Sequence, residues 1–249
     1  MAAMDIFNES KPQMDGFSNS FTKEAEDLVS TFFPQKIEEL QQLLKTAFSS
    51  DDLASLKAPL DIPIPDPVKE EAKRKKMEEE KKEQGDKKDK KEDEEESGPP
   101  CGPICCNERV ETLLKEVKPQ IQTLKEKINM LTLWIQLQIP KIEDGDNFGV
   151  AVQEKVFEML TSSRTKIEGF QTQMSKYYNE RGDAVAKASK TPHVGDYREL
   201  VRELDENQFV ELRIMVLDIC ATYAALFDII SKNYSKIKRP RGDSKALIY

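Results

Sequence analysis

The chain has 249 residues, with 38 Lys and Arg against 46 Asp and Glu, which gives a formal net charge of −8. This acidic balance provides no general attraction to nucleic acid, whose recognition needs a basic surface. No run of about 18 apolar residues occurs, so we expect no segment to span a bilayer. The four cysteines are too few and too clustered for a disulfide scaffold, which favours a reducing, intracellular environment.

The first amphipathic segment predicts a first helix within residues 1–52. Its apolar side chains recur every three or four residues, as on one face of an α-helix. They are Met14, Phe17, Phe21, Ala25, Leu28, Phe32, Ile37, Leu40, Leu44 and Phe48. Pro34 interrupts the stripe, because proline has no backbone N–H to donate. The pattern therefore predicts one helix kinked at Pro34, or two helices end to end.

Residues 53–104 lack such a stripe and are predicted to form a disordered linker. Four prolines alternate with other residues over positions 58–67 and favour extended backbone. Residues 69–96 are almost all charged, in short blocks of alternating sign. With so few apolar side chains, no burial would offset the entropy lost on ordering.

Residues 105–249 predict helices 2 to 4 of the same bundle and a C-terminal tail. The second helix has a heptad-like stripe over residues 110–135, with Asn107 as its N-cap and Pro140 beyond its end. The third has a stripe over residues 152–177, and Gly182 is the expected left-handed residue just past its end. Thr191 and Pro192 match the N-cap and first position of a fourth helix.

Four long helices with single apolar stripes must bury those stripes against one another. The short connections after helices 2 and 3 make those neighbours antiparallel. The sequence therefore predicts a single all-α domain. Its architecture is a four-helix bundle of long antiparallel helices, with a disordered insert rich in Lys and Glu between helices 1 and 2.

The acidic connection between helices 2 and 3 matches a calcium loop only in part. Aligned with an EF-hand, Asp144, Asp146 and Gly149 fill the first, third and sixth positions. Phe148 then stands at the fifth position and Lys155 at the twelfth, where a bidentate glutamate is required. We interpret the segment as an interhelical turn.

The remaining metal-binding and catalytic residue types are too scattered to form a site. Cys101, Cys105 and Cys106 lie close together, but Cys220 and His193 lie far along the chain. We expect free thiols and neither a metal nor a cofactor. No nucleophile signature such as Gly-x-Ser-x-Gly accompanies the histidine, so no catalytic residue is assigned.

The C-terminus ends in three apolar residues, Leu247, Ile248 and Tyr249, after a polar stretch. An exposed apolar end is costly unless something receives it, and capture of a terminal carboxylate by a pocket is a recurrent recognition mode. Packing of this tail on its own bundle explains the pattern equally well.

Short blocks of sequence spread along the whole chain carry a family resemblance. The blocks are 57–67 (KAPLDIPIPDP), 98–103 (GPPCGP), 134–140 (WIQLQIP), 142–145 (IEDG), 147–150 (NFGV), 153–156 (QEKV) and 192–197 (PHVGDY). Together with the Lys/Glu block they resemble the eleven-S (REG) proteasome activators from end to end. The long insert and the terminal Ile248-Tyr249 are most similar to those of the alpha subunit.

The resemblance implies a non-catalytic, ATP-independent activator of the core proteasome. Family members are four-helix-bundle subunits that form a heptameric ring, alone or with beta-type subunits. Their C-terminal tails dock in pockets of the core's outer ring, a role that falls here on Leu247, Ile248 and Tyr249. The loop between helices 2 and 3 then opens the gate to peptides, which serves antigen-peptide production in the cytoplasm. In this chain that activation loop is Ile142, Glu143, Asp144, Gly145, Asp146, Asn147, Phe148, Gly149 and Val150.

One position of the loop departs from the family pattern. The family has Asn-Asn where this chain has Asp146-Asn147, and it relies most on the first asparagine for gate opening. Aspartate keeps the shape but replaces an amide donor with a charged acceptor. We therefore expect weaker activation by this chain alone. The alternative function is a structural coiled-coil or bundle scaffold without gate-opening activity; neither nucleic acid nor a membrane is expected as a partner.

Overall fold

The computed structural model describes residues 10–49, 102–143 and 145–241, together with isolated positions between 60 and 76. Over these residues the chain is all-α and contains no strand, which confirms the predicted fold class. Its elements are α1 (Lys11–Asp27), a π-helical turn (Leu28–Phe32), α2 (Phe33–Thr46), α3 (Glu108–Gln138), α4 (Phe148–Lys190) and α5 (Gly195–Lys238). Most of the predicted disordered insert lies outside the described residues.

The interruption around Pro34 takes the form of a π-helical turn. Pro34 lies in the first turn of α2, so the carbonyl of Ser30 cannot receive the usual helical hydrogen bond from residue 34. The turn widens just before this point, and the backbone N–H of Phe33 donates to the carbonyl of Leu28, five residues back. Helical backbone therefore continues from α1 into α2.

The described residues form two compact units. The first comprises the described parts of residues 1–50, 113–174 and 210–249, and the second those of residues 51–112 and 175–209. The prediction of a single domain with boundaries at 52 and 104 stays a prediction.

Side-chain contacts in the first unit fix the directions of its helices. Near the start of α4, Gln153 bonds the end of α3 and the end of α5, and further along α4 Arg164 bonds Asn129 of α3 at 2.5 Å. Arg213 of α5 bonds the carbonyl of Phe48, just beyond α2. Together with the bond of Lys238 to α1 described below, these contacts make neighbouring helices antiparallel, as predicted.

Large side chains from three helices fill the core of the first unit. Trp134 of α3, Phe33 of α2 and Tyr223 of α5 are all buried, and the rings of Phe33 and Tyr223 meet edge to face with centroids 5.0 Å apart. Fully burying an aliphatic or Phe side chain contributes about 1.5–3 kcal/mol. Burial of the apolar stripes to which these side chains belong is the main stabilisation of the helices.

A buried charged network holds the second unit together. The carboxylate of Asp205 accepts hydrogen bonds from Arg181 Nε at 2.8 Å, the Tyr177 hydroxyl at 2.7 Å and Asn107 Nδ2 at 2.8 Å. Burial disfavours the charged guanidinium of Arg181, but its hydrogen bond and ion pair with Asp205 outweigh this and raise its pKa. Burial, then the bond to Asp205, raises the pKa of the Tyr177 hydroxyl. The network ties α3, α4 and α5 at one level.

The same Asn107 is the N-cap of α3, as predicted. Its Oδ1 accepts from the backbone N–H groups of Arg109 at 3.1 Å and Val110 at 3.2 Å. These are among the first N–H groups of the helix, which have no partner within the helix itself. One side chain thus caps α3 and, through its amide, bonds Asp205.

The predicted boundary between helices 3 and 4 is wrong. Gly182 is helical, and α4 continues past it to Lys190, because Ala184 and Ala188 are buried and extend the apolar stripe. Thr191 ends α4, with both its backbone N–H and its hydroxyl donating to the carbonyl of Lys187. The next helix begins only at Gly195.

The expectation that no segment spans a bilayer stays a prediction, because one described helix has the length and composition to do so. Among the described residues, α5 is long and apolar enough to cross a membrane by length and composition alone, and 33% of its most apolar stretch is buried. A single such helix is weak evidence for a membrane, because a core helix of a soluble bundle has the same composition. Its exposed apolar residues Val210, Ile214 and Leu217, each 42–44% accessible, follow helical spacing and form a stripe on α5.

Replacing Asp205 with Asn should strongly destabilise the chain. The amide would direct a donor at Asn107 and Arg181 and would leave the buried guanidinium without its counter-charge. Breaking a buried pair in this way costs about 3–5 kcal/mol, measurable as the change in the free energy of unfolding in denaturant at fixed protein concentration.

Asp218→Asn is the matched control on the same helix. Asp218 pairs with Lys166 of α4 at 2.9 Å, but both side chains are partly exposed, so its loss should cost less than about 1 kcal/mol. Equal effects of the two substitutions would contradict the role assigned to the buried network.

Candidate functional site at the loop–tail junction

The connection between α3 and α4 carries exposed apolar side chains. Ile142 is 96% exposed and Phe148 is 70% exposed. Gly145 has φ of +97°, a backbone conformation that costs an L-residue about 1–2 kcal/mol. Asp146 is exposed as well. The segment therefore turns sharply at Gly145 and exposes Asp146 together with two apolar side chains.

Gln153 joins the three helix ends beneath this loop. Its side chain is fully buried, and its Nε2 donates to the carbonyl of Gln138 at 3.0 Å and to that of Ile237 at 2.7 Å. Both carbonyls lie in the last turn of their helices, where no intrahelical N–H is available to them. One amide thus holds the ends of α3 and α5 against the start of α4.

Gly149 lies against the backbone that follows α5. A Cβ added to Gly149 would lie 1.9 Å from the carbonyl oxygen of Pro240, far inside van der Waals contact. Both residues are buried. Only glycine allows the chain after α5 to approach the first turn of α4 this closely.

Arg241 bonds the loop from the other side. Its Nη1 donates to the carbonyl of Lys141 at 2.8 Å and to Glu143 Oε2 at 3.3 Å, and its Nη2 donates to the carbonyl of Glu143 at 3.4 Å and to Asn147 Oδ1 at 3.3 Å. We call Gly149, Gln153, Pro240 and Arg241 the loop–tail junction. The contacts of these four residues hold the loop and the beginning of the C-terminal tail close together.

The last turn of α5 is also held by α1. The carboxylate of Glu26 accepts hydrogen bonds from Lys238 Nζ at 2.7 Å and from the Tyr234 hydroxyl. The bond from Lys238, then that from Tyr234, lowers the pKa of Glu26, so this carboxylate is charged at neutral pH. The chain just before the tail is therefore held both by α1 and by the loop.

The predicted site residues are only partly within the described structure. Of the activation loop, every residue but Asp144 is described, and these residues lie together at the end of α3 and the start of α4. Asp144 and the tail residues Leu247, Ile248 and Tyr249 lie outside the described residues, so their roles stay predictions.

The residues considered for metal binding do not come together. Cys105 and Cys106 are free and exposed, and Cys220 is a free, half-buried thiol whose pKa is raised by burial. Cys101 lies outside the described residues. Within the described part of the chain, no three His, Cys, Asp or Glu side chains are placed to hold a metal ion.

Sequence reasoning missed the importance of Gln153 and Arg241. Gln153 had a signal, because it is a polar residue on the stripe that includes the buried Gly149, Val156 and Leu160. Arg241 had none, since its partners lie about a hundred residues earlier in the chain.

Two family models match most of the chain. One is described as proteasome activator PA28, N-terminal, and matches residues 8–67; the other, proteasome activator PA28, C-terminal, matches residues 103–247.

Similar proteins extend over nearly the whole length. The chain is 50% identical to human proteasome activator complex subunit 2, over 98% of the chain and 97% of that protein. It is 34% identical to human proteasome activator complex subunit 3, over 99% of the chain and 98% of that protein. These matches do not test the likeness to the alpha subunit, which stays a prediction.

Solved structures share the fold. The 11S subunit of the Plasmodium falciparum proteasome, PA28, superposes with a TM-score of 0.72 at 25% identity, covering 93% of this chain and 94% of that one. A chain from the yeast 20S proteasome in complex with the activator PA26 from Trypanosoma brucei has a TM-score of 0.65 at 13% identity, covering 96% of this chain and 100% of that one. The second likeness bears on the fold alone. From the family matches and the relatives together, the chain belongs to the PA28 family of proteasome activators.

Proposed function

We propose that the chain is a non-catalytic, ATP-independent activator that docks on the core proteasome and opens its gate. The observation that carries the proposal is the loop–tail junction. Arg241 and the contact of Pro240 with Gly149 start the C-terminal tail at the base of the exposed loop. A docking segment and a segment that acts on the docked partner are thereby held at the same end of α5.

We further propose that the working form is a heptameric ring, made of this chain alone or with beta-type subunits. The exposed stripe of Val210, Ile214 and Leu217 on α5 supports association through an apolar face. The names of the relatives, which are subunits of an activator complex, support it as well. A ring would present its tails together, so that contacts of modest affinity become strong when later ones are effectively intramolecular.

Docking and opening make separate contributions in this mechanism. The tails, ending in Leu247, Ile248 and Tyr249, supply binding energy that does not itself distinguish a closed gate from an open one. The loop residues, among them Ile142, Asp146 and Phe148, supply contacts that exist only with the open gate. A ligand shifts a conformational equilibrium only through such a difference in affinity.

The wider setting follows from the same proposal. The chain acts in the cytoplasm on the outer ring of the core proteasome, and the peptides released serve antigen-peptide production. Its acidic charge argues against nucleic acid as a partner. The second candidate, a bundle scaffold without gate opening, is favoured only if the apolar tail packs on its own helices.

Deleting Leu247, Ile248 and Tyr249 separates these two candidates. We expect the ring to keep its native mass while stimulation of fluorogenic-peptide cleavage by latent core proteasome falls to background, because the docking contacts are lost. Native mass spectrometry and peptidase assays measure the two properties. Tyr249→Phe, which keeps the apolar end and the carboxylate, is the control and should retain docking; unchanged stimulation by the truncated chain would favour the scaffold.

Asp146→Asn tests the departure from the family's loop. Restoring an amide donor should raise maximal peptidase stimulation, and a neutral hydrogen bond of about 0.5–1.5 kcal/mol corresponds to roughly two- to tenfold. Ring mass and the half-saturating concentration should not change.

Asp183→Asn is the control for the lost charge. Asp183 is exposed on α4, far in sequence from the loop. The role given to position 146 is refuted if both variants stimulate as the unmodified chain does.

A further inference from the structure

We propose that Arg241 is a positioning residue that couples the docked tail to the activation loop. The inference rests on the proposed function and concerns how binding at the tail becomes action at the loop. Arg241 makes no contact with the proteasome in this mechanism. It sets where the loop stands relative to the tail's origin.

The first support is the distribution of its partners over the loop. Lys141 and Glu143 lie on the arm that leaves α3, whereas Asn147 lies on the arm that enters α4. The guanidinium therefore links the two arms across the turn at Gly145. Two of its acceptors are backbone carbonyls, so the bonds constrain the path of the loop itself rather than one flexible side chain.

The second support is the fixed position of Arg241. The preceding Pro240 is buried, has its φ restricted by its ring, and lies against Gly149 with no room for a Cβ. Two residues before Pro240, α5 ends at Lys238, which is bonded to Glu26. Arg241 consequently extends from rigid backbone. Its hydrogen bonds fix the position of the loop relative to that backbone.

The third support is the short spacing along the chain between Arg241 and the proposed docking residues. Leu247, Ile248 and Tyr249 follow Arg241 by six to eight residues, which at about 3.3–3.6 Å each reach less than about 30 Å. Seated tails would thus hold Arg241 within a short distance of their pockets. A loop bonded to Arg241 would then be presented at a defined height above the gate.

The chemistry of the contact needs arginine. The planar guanidinium offers several N–H donors in a fixed fork and can serve acceptors on both arms at once, whereas an ammonium is a compact point charge on a flexible stem. The ion pair with Glu143, at 3.3 Å and with the carboxylate half exposed, contributes little by itself. The hydrogen bonds from the guanidinium to the oxygens of the loop carry the coupling between the tail and the loop.

Arg241→Ala should reduce the action of the loop while sparing docking. The tail residues remain, so the half-saturating concentration of the assembled ring on core proteasome should change less than about twofold. Maximal stimulation of fluorogenic-peptide cleavage should fall at least about threefold, because each loop occupies its competent position for a smaller fraction of the time. Arg241→Lys should give an intermediate maximum.

Lys232→Ala is the matched control. It removes one positive charge near the end of α5, and its partner Asp228 lies one turn away on the same helix at 2.6 Å. Its half-saturating concentration and maximum should equal those of the unmodified chain.

Hydrogen exchange of the ring alone, without the proteasome, tests whether Arg241 holds the two arms of the loop together. Amides of residues 141–147 should exchange faster in Arg241→Ala and Arg241→Lys than in the unmodified chain, and at the unmodified rate in Lys232→Ala. Unchanged exchange in both Arg241 variants overturns the claim that Arg241 constrains the loop.

The kinetic outcomes also separate this inference from the proposed function. An unmodified maximum in both Arg241 variants, or a raised half-saturating concentration with an unmodified maximum, overturns the coupling while the activator function stands. Failure of the unmodified ring to stimulate at all overturns both.

Discussion

The last carbonyls of α3 and α5 have no donors within their own helices, and the way they are satisfied decides where the loop and the chain after α5 lie. A helix leaves its last carbonyls without donors, and two such ends meet the start of α4 beneath the loop. The buried side-chain amide of Gln153 donates a hydrogen bond to a carbonyl at each of these two ends. Because this solution fixes three helix ends at once, the connection after α3 and the chain after α5 leave the bundle side by side. Everything attributed to loop and tail follows from that adjacency.

The two compact units differ in the polar groups that they bury. In the first, large apolar side chains such as Trp134 and Phe33 are buried, and Gln153, beneath the loop, is a buried polar side chain. In the second, one carboxylate, Asp205, gathers donors from three helices. Apolar packing tolerates small shifts, whereas a buried ion pair with hydrogen bonds has one good geometry. The network therefore specifies the alignment of α3, α4 and α5 more strictly than packing alone would.

The helices could be predicted from the sequence because the period of an apolar stripe is local information. The N-cap of α3 could be predicted for the same reason, since Asn107 and the helix it caps are adjacent. The boundary between α4 and α5 could not, because Ala184 and Ala188 bury little surface and do not stand out from exposed alanines. The Arg241 contacts were beyond sequence reasoning, since two of its acceptors are backbone carbonyls and its side-chain partners, Glu143 and Asn147, lie almost a hundred residues earlier in the chain. The expectation about membranes rested on the absence of an unbroken apolar run, whereas α5 is apolar on average with occasional charges.

The π-helical turn at Leu28–Phe32 has a consequence for the phase of the first helical segment. A π-helical turn takes in one more residue than an α-helical turn, so Leu28–Phe32 rotates the chain less than regular winding at about 100° per residue would. Residues on both sides of the turn, among them Ala25, Val29, Phe33 and Leu40, are buried. The length of this segment is consequently not neutral. Insertion of one further residue there would turn α1 by about 100° relative to α2 and move its apolar face away from the core, whereas loss of one residue would let the turn wind as a regular α-helix with both faces kept in line.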